Sequence, residues 1–119
     1  MTIQDELQRL FDEYVAAYRV GNAAGCAAIF TPNAELYSPY GPASRGRGAI
    51  EETHAAWTQA GGENKQIEVI EAGQSGNLAW CLARCSEGDA TGDGTSLNVL
   101  ERQEDGGWSI RMCSLNEDR

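Results

Sequence analysis

The feature that most constrains this fold is a change of periodicity near residue 62. Before it, apolar residues recur three and four positions apart from Ile3 to Tyr18, as on one face of a helix. After it come four strand-like runs separated by turns, KQIEVIEA, LAWCLARCS, SLNVLERQ and WSIRMCSLN. Helices followed by consecutive strands predict an α+β fold, in which the helices pack on one face of a curved, mostly antiparallel sheet.

Local signals predict where the first two helices begin and end. Thr2 and Asp5 have the spacing of a capping box, and Gly21 follows the last residue of the first helical stripe. Asn22 is a suitable N-cap for a second, shorter helix, and Pro32 ends it. These two helices account for most of the first 30 residues.

The next segment predicts a pocket. Residues 34–38 alternate as a strand, and a loop rich in Gly and Pro follows at 39–46. A third helix then carries three residues on one face, Ile50, His54 and Trp57. Three helices on a curved sheet form a cone whose wide end the sheet does not fill, and a small molecule can bind there. Leu36, Ser38 and Tyr40 share one face of the strand and are expected to line this pocket, together with Trp57.

Composition excludes several classes of protein. The 119 residues suit a single domain spanning 1–119. Eighteen acidic against nine basic residues give a net charge of −9, which repels a nucleic-acid backbone. No run approaches the roughly 18 apolar residues of a membrane span, and the polar N-terminus lacks the pattern of a secretory signal. We therefore expect a cytoplasmic protein with no nucleic-acid or membrane partner.

The cysteines do not form a metal or disulfide motif. The four residues are Cys26, Cys81, Cys85 and Cys113, with no C-x-x-C spacing, and the chain has one histidine. Cys81 and Cys85 on one strand lie about 13 Å apart, too far for one disulfide or one zinc ion. We expect buried thiols, no metal site and no cofactor.

Three segments carry a family resemblance: YVAAYRVGNAAGCAAIFTPNAELYSPYG, RGRGAI and DGGWSI. In these the chain resembles the nuclear-transport-factor-2-like superfamily, in its SnoaL-like and ketosteroid-isomerase-like branch, over roughly residues 3–116. The resemblance implies a cone-shaped, cystatin-like α+β barrel with an apolar pocket for a small-molecule ligand. It also implies a homodimer formed through the outer face of the sheet.

The resemblance assigns catalytic positions only in part. The tyrosine of the ketosteroid isomerases corresponds to Tyr14, their proton-shuttling aspartate to Ser38, and their oxyanion-hole aspartic acid to Val99 or Leu100. A serine hydroxyl is too weak a base to replace the carboxylate, and an aliphatic side chain donates no hydrogen bond. The isomerase mechanism is therefore not expected, although an isomerase- or cyclase-like reaction on a carbonyl compound remains one hypothesis.

The resemblance and strand alternation also assign pocket residues in the later strands. The expected residues are Trp80, Leu82, Arg84, Met112, Ser114 and Asn116. A guanidinium at Arg84 would need an anionic partner in such a cavity, and the alternative is that Arg84 reaches solvent or a dimer interface. Glu101 is the one candidate carboxylate in the sheet to replace a lost acid, and the alternative is an exposed cross-strand charge.

Three functions are compatible with these patterns. An enzyme would use Tyr14 with Ser38, His54 or Glu101 for proton transfer. A binding protein would orient its ligand by Tyr14, Asn116 or Arg84 in an apolar pocket lined by Leu36, Trp57, Trp80 and Met112. For Tyr14 and His54 the alternative is an ordinary structural role in the core. An assembly domain would use the outer face of the sheet. Polar and ionisable groups that converge on a common cavity favour the enzyme, whereas a purely apolar cavity favours the binding protein.

Overall fold

The computed structural model describes residues 1–59, 61–87 and 93–117, and in these ranges three helices pack on one six-stranded sheet. The expected α+β architecture is confirmed. The elements are α1 Ile3–Arg19, α2 Ala23–Ala27, β1 Phe30–Ser38, β2 Gly41–Arg45, α3 Arg47–Gln59, β3 Lys65–Ser75, β4 Leu78–Glu87, β5 Gly94–Arg102 and β6 Trp108–Glu117. The strand order is β2-β1-β6-β5-β4-β3, and only the pair β1 and β6 is parallel among these strands.

The expected capping signals are confirmed for the first two helices. The Thr2 side chain accepts a hydrogen bond from the amide of Asp5, and the Asp5 carboxylate accepts one from the amide of Thr2. The Asn22 side chain accepts a hydrogen bond from the amide of Gly25 at the start of α2. Helix α2 ends earlier than expected, and Pro32 lies within β1 at an irregularity of its pairing with β6. A proline is tolerated there because it lacks the amide hydrogen that a regular ladder requires.

Residues 39–46 form more than the expected loop. Five of them make strand β2, which pairs antiparallel with β1, and Leu36 faces Ser44 across this hairpin. Strand β2 lies at the edge of the sheet, where glycine and proline are acceptable because one side has no hydrogen-bonding neighbour. An edge strand of this composition has the same sequence pattern as a loop.

The core lies between the helices and one face of the sheet, and we name the other face the outer face. Strand β4 presents small side chains to the core, namely Ala79, Cys81, Ala83 and Cys85. Trp80 is 44% exposed on the outer face. The expectation that Trp80, Leu82 and Arg84 face the pocket is therefore wrong. The helices already supply large aromatic side chains to this core, so only small residues fit opposite them.

A β-bulge in β6 changes which of its residues face the core. Ile110 is paired with Leu100, and Met112 is paired with Val99, so Arg111 is an extra residue in β6. Because side chains alternate with a period of two, one extra residue reverses every assignment after it.

The bulge places Met112 and Ser114 on the outer face, so the expectation that they face the pocket is wrong. Cys113 and Leu115 point inward instead. Asn116 lies near the end of the strand and reaches the rim of the wide end of the cone. Of the three pocket residues expected in β6, Met112 and Ser114 were therefore assigned to the wrong face of the sheet, because Arg111 is one extra residue in the strand.

Two further structural findings concern the cysteines and the helices. All four cysteines are buried free thiols, as expected. Within the described residues, none of the helices has the length and apolarity that crossing a membrane requires.

Candidate functional site

Two adjoining cavities lie between α3 and the strands of the sheet. The inner cavity, beside Tyr14 and His54, has a volume of about 30 Å³. The larger one, which we name the mouth cleft, has a volume of about 380 Å³. The mouth cleft is lined by Tyr18, Tyr40, Ala56, Trp57, Lys65, Cys85, Glu87, Thr95, Leu115 and Asn116. Four of these residues also line the inner cavity and form the boundary between the two, namely Trp57, Lys65, Cys85 and Leu115.

The inner cavity is too small for an organic ligand. A volume of about 30 Å³ accommodates one or two water molecules. Side chains of Phe11, Phe30 and Leu36 fill the depth of the cone. The hollow interior expected from the sequence is therefore absent around Tyr14, and the larger of the two adjoining cavities lies at the wide end.

Tyr14 and His54 form a hydrogen-bonded pair in the core. The Tyr14 hydroxyl lies 2.7 Å from His54 Nε2, and His54 Nδ1 lies 2.8 Å from the carbonyl oxygen of Ile50. Because a carbonyl oxygen only accepts, Nδ1 carries the hydrogen of the neutral ring. Nε2 therefore accepts the hydrogen bond that the Tyr14 hydroxyl donates. Burial lowers the pKa of His54 to about 4, which keeps the ring neutral.

Tyr14 and His54 are poorly suited to acid-base catalysis. Burial raises the pKa of Tyr14 well above its ordinary value of 10.0, while the pKa of His54 is about 4. Both shifts favour the neutral forms, so burial opposes moving the proton from Tyr14 to His54. The one proton of the Tyr14 hydroxyl is also committed to His54. Tyr14 and His54 are thus brought together, but in a structural contact between α1 and α3.

Ser38, the third candidate catalytic residue, lies apart from both cavities. Its hydroxyl accepts a hydrogen bond from the Tyr40 amide at 3.3 Å, in the turn between β1 and β2. Ser38 is not among the residues that line the inner cavity or the mouth cleft. Leu36, two residues earlier, is buried against the inner cavity.

Aromatic and aliphatic side chains form one wall of the mouth cleft. The rings of Tyr40 and Trp57 meet edge to face with centroids 6.1 Å apart, and Trp57 also packs on His54 with centroids 5.0 Å apart. Leu115 and Cys85 continue this wall inward. Burial raises the pKa of the Cys85 thiol, which is opposite to what a nucleophilic cysteine needs.

The other wall carries charged and phenolic groups around Lys65. The Lys65 ammonium lies 3.4 Å from Glu87 Oε1 and 4.8 Å from the centroid of the Tyr18 ring. Its side chain is only 12% exposed. Burial, followed by the charge of Glu87, raises the pKa of Tyr18 above its ordinary value. The Tyr18 ring in turn rests against Gly62, where an added Cβ would lie 2.6 Å from ring atom Cε1.

The structure thus brings three of the expected ligand residues, Tyr40, Trp57 and Asn116, to the mouth cleft. Glu101 pairs with Leu78 and Ser109 on the outer face and cannot replace an interior acid. The lining residues that the sequence did not indicate are Tyr18, Ala56, Lys65, Cys85, Glu87, Thr95 and Leu115. One signal was available, since Lys65 is the only lysine in the sequence. Within residues 1–59, 61–87 and 93–117, no group of three or more His, Cys, Asp or Glu can hold a metal ion.

Most of the chain matches a known protein family. The model of the SnoaL-like domain matches residues 11–113. The chain belongs to the SnoaL-like family. The match covers the second half of α1, all elements from α2 to β5, and β6 as far as Cys113. Tyr18, Lys65 and Glu87 therefore lie within the matched region. No functionally curated protein matches the sequence significantly.

Solved structures share the fold of this SnoaL-like domain at low sequence identity. A cystatin-like domain of unknown function from Nostoc punctiforme is 21% identical with a TM-score of 0.78, covering 100% of this chain and 80% of that chain. A ketosteroid isomerase-like protein from Erwinia carotovora atroseptica is 16% identical with a TM-score of 0.79, covering 98% and 96%. A nuclear-transport-factor-2-like protein of unknown function from Shewanella oneidensis is 19% identical with a TM-score of 0.72, covering 96% and 98%. These similarities establish the fold alone.

Proposed function

We propose that this SnoaL-like protein binds a small, largely apolar molecule in the mouth cleft. The observation that carries the proposal is the cleft itself, because its volume of about 380 Å³ falls within the usual range of small-molecule sites. It combines an apolar wall with a few polar groups, and this is the composition such sites have. The expected pocket is retained in this proposal, but at the wide end of the cone rather than around Tyr14.

The walls indicate how a ligand is oriented. A flat apolar ring packs against Trp57 and Leu115, and Tyr40 covers its outer edge. Among the described residues, Glu87 is the only hydrogen-bond partner of the Lys65 ammonium. The ammonium therefore has donors left for an oxygen acceptor on the ligand. A carbonyl compound of about two fused rings can pack against the apolar wall and accept a hydrogen bond from Lys65 on the other wall.

Catalysis on a carbonyl compound is a second candidate function. The observation that favours it is the convergence of Lys65, Glu87 and Tyr18 on one cleft, which supplies an amine, a carboxylate and a phenol. The reaction class is then isomerase- or cyclase-like. The reaction takes place at the wall that carries Lys65, Glu87 and Tyr18, and not at Tyr14 and Ser38.

We also propose a homodimer through the outer face. Adjacent strands place Trp80 beside Val99 and Leu82 beside Leu97, and Leu97 is 51% exposed. Trp80 lies flat across Gly73, where an added Cβ would be 2.4 Å from the indole nitrogen. A second copy offers the same apolar area, so the two patches can cover each other in a two-fold arrangement. The four free buried thiols support a location in the reducing cytoplasm.

A fluorescence titration with acetylnaphthalene, an apolar aromatic ketone, tests ligand binding. We expect saturable quenching of tryptophan emission in the parent protein and in Trp80→Phe, since Trp80 lies on the outer face. Trp57→Phe removes the tryptophan that lines the cleft, so most of the quenching should disappear. Equal quenching in Trp57→Phe and the parent would contradict binding in the mouth cleft.

A further inference from the structure

Lys65 is chemically unique in this chain. It is the only lysine in 119 residues, and the eight other basic residues are arginines. Arginine is the better residue for ion pairs and for stacking on aromatic rings. The structure nevertheless places the single lysine beside a carboxylate and over a tyrosine ring, in the wall of the mouth cleft. What lysine offers and arginine lacks is an amine that can lose a proton and attack carbon.

The surroundings of the Lys65 amine leave it directed toward the cleft. Its side chain is 12% exposed and lines both the mouth cleft and the inner cavity. Glu87 Oε1, at 3.4 Å, is the hydrogen-bond acceptor for Nζ among the described residues. An ammonium group has three donors, so two of them have no acceptor among these residues. A ligand oxygen or carbonyl carbon in the cleft therefore meets this nitrogen first.

We propose that Lys65 forms an imine with an aldehyde or ketone bound in the mouth cleft. The inference rests on the proposed function, because the carbonyl compound must first occupy the cleft. It goes beyond that function by assigning a covalent step to one atom, Lys65 Nζ. The chemical class of the ligand is an aromatic or otherwise flat apolar aldehyde or ketone, since the carbonyl carbon must reach Nζ while the rest of the molecule packs on Trp57.

The step balances without an oxidant or a reductant. Glu87 takes one proton from the Lys65 ammonium, and the amine lone pair attacks the carbonyl carbon to form the N–C bond. The π electrons move to the carbonyl oxygen, which takes one of the two remaining amine hydrogens to give a neutral carbinolamine. Glu87 then returns its proton to the hydroxyl, the C–O bond breaks, and water leaves as the nitrogen lone pair forms the C=N bond. The products are one protonated imine and one water molecule, and Glu87 is again a carboxylate.

The cleft suits the product as well as the reactant. A protonated imine keeps a positive charge at the position of Nζ, so the contacts with Glu87 and the Tyr18 ring persist. The apolar side chains of Trp57 and Leu115 limit the access of water, which hydrolyses imines. The protonated imine also withdraws electrons from the neighbouring carbon, and this prepares a ligand for isomerisation or cyclisation.

Reductive trapping tests the proposal. The folded protein is incubated with naphthaldehyde and sodium cyanoborohydride, and the modified peptides are identified by mass spectrometry. The chain has two primary amines, Lys65 and the amino group of Met1, so the sites are easily distinguished. We expect one adduct on the peptide containing Lys65, formed at least about tenfold faster than in the same chain unfolded in urea. Labelling at Met1 alone, or an equal rate in the unfolded chain, would overturn the proposal.

Two variants separate this inference from the proposed function. Lys65→Arg keeps the charge beside Glu87 but has no amine that can form an imine, so it should yield no adduct outside Met1. Glu87→Gln removes the proton acceptor and should slow trapping at Lys65 by at least about tenfold. If the parent binds acetylnaphthalene but is not trapped at Lys65, the imine is excluded and ligand binding stands. If the parent neither binds nor is trapped, both proposals fail.

Discussion

The hydroxyl of Tyr14 donates a hydrogen bond to Nε2 of His54 over 2.7 Å, and this contact joins α1 to α3 in the core of the cone. His54 is 0% exposed and also donates from Nδ1 to the Ile50 carbonyl. Both ring nitrogens are therefore satisfied inside the protein. The contact belongs to the packed interior, whereas Lys65 and Glu87 line the mouth cleft.

Tyr14→Phe should lower stability and leave ligand binding unchanged. The substitution removes the donor to His54 Nε2 and leaves that buried nitrogen without a partner, which costs about 1–3 kcal/mol. Urea unfolding measures the free energy, and the acetylnaphthalene titration measures binding. Tyr40→Phe is the matched control, because Tyr40 is half exposed and should change stability little. Loss of binding in Tyr14→Phe at unchanged stability would contradict the structural role.

His54 should make the protein less stable in mild acid. Its pKa is about 4 in the folded state against 6.5 for an ordinary histidine, so the unfolded chain binds the additional proton between these values. The contribution of neutral His54 to the free energy of unfolding is fully present above pH 6.5 and is lost as the pH falls toward 4. The expected loss is about 3 kcal/mol. Unfolding free energies at several pH values, compared with those of His54→Gln, isolate this contribution from that of the carboxylates. If the unfolding free energies of the parent protein and of His54→Gln changed equally with pH, this contribution of His54 would be ruled out.

Leu97→Glu should convert the proposed dimer to a monomer. Leu97 is 51% exposed on the outer face beside Leu82, and a carboxylate there would be buried without a partner on association. Sedimentation velocity reports the mass in solution. Val20→Glu, at the exposed end of α1, adds the same charge away from the outer face and should remain dimeric. A monomeric parent protein, or a dimeric Leu97→Glu, is incompatible with the proposed interface.

Local signals in the sequence were sufficient for the order of the three helices and for the meander of four strands, but not for the end of α2. The capping box at Thr2 and the apolar stripe of α1 depend on neighbouring residues, and so do the turns between strands. The side-chain directions in β6 were not predictable, because the bulge at Arg111 arises from pairing with β5 and has no local signature. Strand β2 was missed because Gly41 and Pro42 are typical of loops and are tolerated at a sheet edge.

The candidate site was only partly predictable for a similar reason. Trp57 and Tyr40 lie beside the cleft because of the register of α3 and the β1–β2 turn, which the sequence pattern indicates. The meeting of Lys65, Glu87 and Tyr18 depends on packing between β3, β4 and α1, which are distant in sequence. The rarity of lysine in the chain was the one available indication.

The three tryptophans allow the central claim to be tested in one experiment, because they report on three places. Trp57 lines the mouth cleft, Trp80 lies on the outer face, and Trp108 is buried at the start of β6. Their indole N–H signals can be followed by proton–nitrogen correlation spectra during a titration with acetylnaphthalene. We predict that the Trp57 signal shifts progressively to saturation while the other two stay in place. A shift of Trp80 alone, or no shift of Trp57 at saturating ketone, would contradict a ligand site in the mouth cleft.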